Sequence, residues 1–270
     1  MPSPSINAVA VITGASSGIG AVYADRLAKR GYDLILVARR IERLRNLKEV
    51  LSARYQINVQ VIEADLTVEN DLVQVEHVLR SDERIAVLVN NAGNGKLSGT
   101  VAMSDADTAS TIALNIVAPT RLARAILPAF IGRNAGSIIN VSSVMAFHAL
   151  PVTTLYSATK SYLLMFSRGL QTELAETDIR VQAVLPAGTA TEFYEHSGVP
   201  LSAFDPSVVM TTESLVDAAL AGFDAGEKVT LPSVHDTALW TAYDEAQEAL
   251  FGATQTGIPA PRYSHAIPAE

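Results

Sequence analysis

The chain has 270 residues, 49% of them hydrophobic, no cysteine, and a formal net charge of −8 from 20 Lys and Arg against 28 Asp and Glu. At roughly 100–200 residues per domain this length suits one large domain or two small ones, and the acidic balance without basic clusters argues against a nucleic-acid partner. The missing thiols exclude disulfides, Cys-ligated zinc, iron–sulfur clusters and a thiol nucleophile, and fit a reducing cytoplasm. With no basic, apolar leader at the N-terminus and no stretch that reads as ~18 apolar residues, the expectation is a soluble cytoplasmic protein with no membrane partner.

Apolar periodicity gives the elements in order. AVAVI (8–12) is a buried strand closed by Gly14. Residues 18–30 follow helical spacing through Ile19, Val22, Tyr23, Leu27 and Ala28. LILVA within 33–38 is a second strand, and 40–54 a second helix through Leu44, Leu47 and Leu51. NVQVI (58–62) is a strand, 68–80 a helix and IAVLV (85–89) a strand. One long helix is expected over about 104–132, then the strand SIINV (137–141), a helix from about 155 to 175 and the strand IRVQAVL (179–185). A helix over 211–225, the strand KVTL (228–231) and a helix over 234–251 complete the series. Strands that are nearly continuous apolar runs, alternating with helices, predict a parallel sheet covered on both faces. Right-handed crossovers make it a doubly wound, three-layer α/β/α fold. No linker or repeat divides the chain, so a single domain is read over residues 1–252. The remainder, 253–270, with Pro259, Pro261 and Pro268, is an irregular tail.

Thr13-Gly14-Ala15-Ser16-Ser17-Gly18-Ile19-Gly20 joins the first strand to the first helix. Glycines there let the backbone approach a phosphate group closely, and the helix start offers free N–H groups and a positive dipole end. The same glycines would serve a plain strand–helix turn, but the placement directly after the first strand favours a pyrophosphate. No Gly-Lys-Ser/Thr follows, so a triphosphate loop is not supported. The second strand ends at Ala38, followed by Arg39 and Arg40 in place of an acidic residue. Arg39 suits the 2′-phosphate of NADP, in preference to the alternative of a solvated arginine at a helix start.

Tyr156 and Lys160 lie four apart at a helix start, on one face. A tyrosine near its ordinary pKa of ~10 is a poor base, and a neighbouring ammonium lowers that value. Asn140-Val141-Ser142-Ser143 and Asn90-Asn91-Ala92-Gly93 both end strands, at the sheet edge where ligands of doubly wound folds bind.

From about Val9 to Leu231 the chain resembles the short-chain dehydrogenases/reductases in their compact single-domain form. The motifs TGASSGIG, DLT, NNAG and YSATK stand in that family's order. The resemblance implies a Rossmann-type fold and an oxidoreductase that moves a hydride between NADP(H) and an alcohol or carbonyl group. It implies the catalytic set Asn115, Ser143, Tyr156 and Lys160. Tyr156 exchanges the proton, Ser143 binds the same oxygen, and Lys160 lowers the Tyr156 pKa and holds the nicotinamide ribose. Asn115 holds a water that links Lys160 to solvent. Ser142 is the rival of Ser143. The implied cofactor residues are Gly14, Ser16, Ser17, Gly18, Ile19, Gly20, Arg39, Asp65, Leu66, Asn91, Ala92, Gly93, Tyr156, Lys160, Pro186, Gly188, Thr189 and Thr191. Ala187 stands where the family usually has the glycine of Pro-Gly, which puts that last loop in doubt.

The resemblance also implies a substrate lid over 190–212, and substrate contacts from Ser143, Phe147, Tyr156, Phe193 and Tyr194. No Lys or Arg occurs from Val181 to Glu227, which favours a neutral, fairly apolar alcohol or ketone. His148 and His196 have no partner motif and are given no catalytic role. No metal-ligand spacing is present. Trp240 and Tyr243 could close the pocket or meet another subunit, with ordinary core the better reading. A homo-oligomer, dimer or tetramer, is implied through the helices near 104–132 and 155–175. The alternatives are an NAD-linked alcohol dehydrogenase, a non-catalytic nicotinamide-binding regulator, and a sugar-nucleotide epimerase. The last resembles longer chains with a larger C-terminal substrate region.

Overall fold

The computed structural model describes residues 8–266; the side chains of His196 and of 264–266, and the predicted Pro268, lie outside the described residues. The chain forms two units, Met1–Ser233 and Val234–Glu270. The first holds seven parallel strands: β1 (Val9–Thr13), β2 (Asp33–Ala38), β3 (Val59–Glu63), β4 (Ile85–Asn90), β5 (Gly136–Val141), β6 (Ile179–Val184) and β7 (Val229–Thr230). Their order in the sheet is β3-β2-β1-β4-β5-β6-β7. The order reverses between β1 and β4, and that reversal opens a crevice at the C-terminal strand ends.

Between the strands run α1 (Gly18–Lys29), α2 (Ile41–Tyr55), α3 (Glu69–Ser81), α4 (Asp105–Ile112), α5 (Ala118–Gly132), α6 (Thr154–Glu173), α7 (Phe193–Ser197) and α8 (Thr212–Ala225). Side chains alternate across each strand. Thus Ala10 and Ile12 of β1 join Tyr23, Leu27, Leu44 and Phe223 in one core, while Val9 and Val11 join Leu72, Leu122, Ile126 and Phe130 in the other. At about 1.5–3 kcal/mol per buried large apolar side chain, these two layers hold the sheet.

The expected helix over 104–132 is interrupted. Residues Ala113–Val117 form a π-helical turn between α4 and α5, with Asn115 buried in it. Asp105–Gly132 as a whole is long and apolar enough to cross a membrane by length and composition, with mean hydropathy 1.3. This corrects the expectation that no such stretch exists. Ala118, Leu122, Ile126 and Phe130 pack into the core below the sheet, so the stretch serves as a core helix.

In the second unit, α9 (Ala238–Ala253) starts later than expected and buries no residue. The Trp240 and Tyr243 rings, half-buried, stand 5.2 Å apart, so neither is ordinary core. A 3-10 helix over Pro261–Ala266 replaces part of the expected irregular tail. The sequence reading carries the main domain to residue 252, whereas the first unit closes at Ser233 and α9 belongs to the second.

A buried polar chain ties the sheet to α6. Asn90 Nδ2 donates to Asn140 Oδ1 at 2.9 Å, and Asn140 Nδ2 donates to Ser167 Oγ at 2.9 Å. Asn140→Ala strands two buried partners. We expect it to lower the unfolding free energy by about 1–3 kcal/mol, read as a lower urea midpoint with unchanged slope.

Candidate active site

The site begins with the stitching of two loops. Thr13 Oγ1, at the end of β1, accepts the backbone N–H groups of Asn91 and Ala92 at 3.0 Å each. Asn91 Nδ2 returns a bond to the Thr13 carbonyl at 2.9 Å. Gly14 sits at φ +66°, and a Cβ there would lie 2.8 Å from Asn91 Nδ2 and 2.9 Å from Ala92 Cα. Only glycine permits both that angle and that approach. Gly20 does not line the cleft; a side chain there would strike the Gly14 carbonyl.

Ser17, the N-cap of α1, is extended and makes no capping bond, and no acidic residue occupies the first turn. The helix start is thus open toward a cleft of about 950 Å³. That cleft is lined by Gly14, Ser16, Ser17, Gly18, Ile19, Arg39, Asp65, Leu66, Asn91, Ala92, Gly93, Ser143, Tyr156, Lys160, Pro186, Gly188, Thr189, Thr191, Phe193 and Tyr194. Nearly the whole expected set therefore meets at one opening. Ala187 lines it as well, and the loop it belongs to keeps Gly188, Thr189 and Thr191 at the cleft.

At the adenosine end expected from the sequence, Arg39 is 72% exposed and lies 3.7 Å from Asp65. Burial pushes the Asp65 carboxyl up, but hydrogen bonds from Thr67 and the Arg39 charge outweigh it and leave the group below its ordinary value. Arg40, not singled out from the sequence, makes the contacts to the glycine loop. Its Nη2 donates to Ser16 Oγ at 2.9 Å and to Ser17 Oγ at 2.6 Å.

At the opposite end, Tyr156 and Lys160 project from α6, and Ser143 follows β5. Ser143 hydrogen-bonds Tyr156. Ser142 instead donates to the Lys160 carbonyl at 2.8 Å and so fastens β5 to α6. Lys160 Nζ donates to the Val141 carbonyl at 2.9 Å and stands 5.7 Å from the centre of the Tyr156 ring. The expected lowering of the Tyr156 pKa does not appear in this arrangement. Burial pushes it up to about 12, and the Ser143 bond opposes this only in part. Burial lowers Lys160 to about 8. The ammonium is bonded to a carbonyl rather than to the phenol, so desolvation dominates both groups.

Asn115 is buried behind the cleft. It donates to the Asn94 carbonyl at 2.7 Å and to Thr159 Oγ1 at 3.0 Å, and accepts the Asn94 N–H at 3.0 Å. Both amide protons are taken up in holding the loop after Gly93 against α6. Phe147 does not line the cleft. The chain makes a 3-10 turn at Val144–Ala146, so Val144 and Met145 line the opening and Phe147, one residue later, is 39% exposed.

The substrate side is aromatic. Phe193 lies 5.5 Å from Tyr156, Tyr194 5.4 Å from Phe193, and Phe204 5.1 Å from Tyr194. Leu97, Leu114, Met145, Leu150, Val152, Val199 and Val208 complete it. Lys96 also lines the cleft, so the lack of Lys and Arg after Val181 does not leave the opening free of cations.

A family model for short chain dehydrogenases matches residues 8–198. The chain belongs to the short chain dehydrogenase family. It is similar to a very-long-chain 3-oxoacyl-CoA reductase-B of Danio rerio, 34% identical over 196 residues, or 71% of this chain. It spans 63% of the length of that relative. Among solved structures it is similar to a short-chain dehydrogenase from Sphingobium yanoikuyae in complex with NADPH. There the TM-score is 0.91 and the identity 44%, over 95% of this chain and all of that one. A bulky-bulky ketone specific alcohol dehydrogenase from Comamonas testosteroni follows, with TM-score 0.88, identity 40%, 96% of this chain and 99% of the other.

Gly95 is a site residue that the sequence reading missed. A Cβ there would lie inside contact distance of Tyr156 Cδ2 and 3.2 Å from Phe193 Cζ. Gly95→Ala forces the Tyr156 ring aside. Misplacement of a reacting group by about 1 Å costs on the order of 10²-fold, so we expect kcat to fall by about that factor while cofactor affinity changes little, read by steady-state kinetics beside a binding titration.

Proposed function

We propose that the chain is an NADP(H)-dependent oxidoreductase acting on the CH–OH or carbonyl group of neutral, bulky, largely apolar alcohols and ketones. The observation that carries this is a single cleft with an uncapped helix start and two arginines at one end and the Ser143, Tyr156 and Lys160 side chains at the other. The glycine loop fits a dinucleotide because Gly14 and Gly18, both at positive φ, line the cleft beside a helix start that no side chain caps. Gly14, Ser16, Ser17 and Gly18 would hold the pyrophosphate, Arg39 and Arg40 the 2′-phosphate, and Lys160 and Thr191 the nicotinamide end. The NADPH held by the Sphingobium protein and the ketone named for the Comamonas protein support this reading of cofactor and substrate. When bound, the nicotinamide supplies or accepts the hydride.

The chain's own part is proton handling and orientation. Ser143, which bonds Tyr156, would also hydrogen-bond the reacting oxygen. Held near pKa 12, Tyr156 is protonated at neutral pH and so is a proton donor for carbonyl reduction. The Lys160 ammonium stabilises negative charge appearing on the phenol oxygen. Phe193, Tyr194 and Phe204 exclude water from that proton transfer. In the same proposal the chain is a homo-oligomer that pairs through the α5 and α6 region, where Val117, Ile131 and Met165 are exposed.

Mixing the protein with NADPH and a panel of aryl and alkyl ketones tests the function. Loss of NADPH absorbance with bulky ketones is the expected outcome. Equal turnover with NADH would transfer the proposal to an NAD-linked alcohol dehydrogenase, and no binding of either cofactor would leave a non-catalytic regulator. Tyr156→Phe should lower kcat on the order of 10²–10⁴-fold without loss of cofactor binding.

The pH dependence follows from the two shifts. Lys160 is cationic below about 8 and loses its proton above it, while Tyr156 stays protonated to about 12. Reduction is therefore expected to be level through neutral pH and to fall as pH rises through about 8, while oxidation, which needs the phenolate, gains nothing until the pH nears 12. A reduction profile that climbs through this range would contradict the assignment.

A further inference from the structure

Glu192 precedes α7 but makes no side-chain cap to that helix. Its carboxylate reaches back to the start of α2 instead, 2.6 Å from Arg40 Nη1 and 2.5 Å from Arg43 Nη1. Arg40 in turn donates to the Ser16 and Ser17 hydroxyls of the glycine loop. Two guanidinium groups, two hydroxyls and one carboxylate thus converge where the lid crosses the loop. Together the two arginines and Glu192 carry a net charge of +1. A second arginine, three residues beyond the strand-end pair, is more than a structural lid contact needs. It is what a doubly charged oxyanion with several acceptor oxygens would use.

With the proposed NADP(H) function as its basis, we propose that Glu192 is a cofactor-specificity residue: its carboxylate, anchored by Arg43 beside the cleft, occupies the Arg40 guanidinium that Arg39 and Arg40 would offer the 2′-phosphate, and NADP(H) must displace it from Arg40 to bind. A dinucleotide without that phosphate leaves the pairs with Glu192 intact. The carboxylate is ionised throughout the working range, because Arg40 and Arg43 hold it near pKa 2. It is also displaceable. Both arginines are more than two-fifths exposed and Glu192 a third, and half-exposed pairs of this kind are individually weak. A phosphate competes with more charge and better geometry for the same donors. Glu192 therefore moderates NADP(H) affinity and has little effect on NAD(H), so that the native selectivity is narrower than the two arginines alone would set.

Calorimetric titration of the whole protein with 2′,5′-ADP, 5′-AMP, NADPH and NADH tests this without any turnover. Glu192→Gln keeps the size of the side chain and removes the charge. We expect it to tighten 2′,5′-ADP and NADPH roughly three- to tenfold, with 5′-AMP and NADH changing by less than about twofold. The gain is expected to disappear in an Arg40→Ala background, and Glu192→Asp to retain wild-type preference. An equal gain for all four ligands would mean a general repulsion of the pyrophosphate and would overturn the proposal. Weaker binding of the phosphorylated pair would make Glu192 a clamp over bound cofactor, and unchanged affinities would make the contact purely structural; either overturns it. Failure of the underlying cofactor assignment is separately visible, since wild-type protein would then bind 2′,5′-ADP no better than 5′-AMP.

Discussion

One hydroxyl sets the position of everything else in the site. Thr13 Oγ1 accepts two consecutive backbone amides from the loop after β4, across the point where the strand order turns back on itself. Buried amides need partners; the Asn91 N–H also reaches the Val89 carbonyl of β4 at 3.1 Å, while the Ala92 N–H is met by Thr13. By answering both, Thr13 draws the Asn91–Gly93 loop down beside Gly14. The crevice that remains is therefore a consequence of the sheet's topology, and the loop beside it is held by a buried side chain that also donates to the Val89 carbonyl.

That close approach has consequences farther along the same loop. Asn94 is bonded on both backbone groups to Asn115, and Asn115 is held in turn by Thr159, one residue before Lys160. The π-helical turn over Ala113–Val117 is what carries Asn115 to this position. Such turns recur at functional sites because they re-aim one side chain without ending the helix. Gly95 then passes so close to Tyr156 that the loop and the phenol ring define one another's place. The proton-handling group is thus positioned from its backbone side by α6 and from its ring side by the loop that began at Thr13.

Much of this was legible in the residues. Continuous apolar strands and 3.6-residue spacing revealed the alternation, because packing on both sheet faces demands it. The motif residues reached one rim, because they stand at the ends of parallel strands. What the sequence concealed has identifiable causes. ALNIV at 113–117 reads as helix, and nothing in its composition marks the extra residue that makes a π turn. Phe147 looked like a pocket residue, but a three-residue 3-10 turn shifts the opening to Val144 and Met145. Arg39 and Arg40 are alike by residue type. Only the fold shows Arg40 on the serine hydroxyls, facing a partner 152 residues away. Long-range ion pairs of this sort leave no periodicity to read.

The sign of the Tyr156 shift is the most instructive of these differences. Spacing on a helix places an ammonium near a phenol, and Coulomb attraction alone then argues for a lower pKa. The fold adds a term that spacing does not contain. Burial within the fold, with the Phe193 ring 5.5 Å from that of Tyr156, removes water from both groups. Desolvation disfavours the phenolate and the ammonium together, so the phenol rises to about 12 while the amine falls to about 8. Admitting water would move both groups back toward their ordinary values. The same burial keeps the phenol protonated at neutral pH.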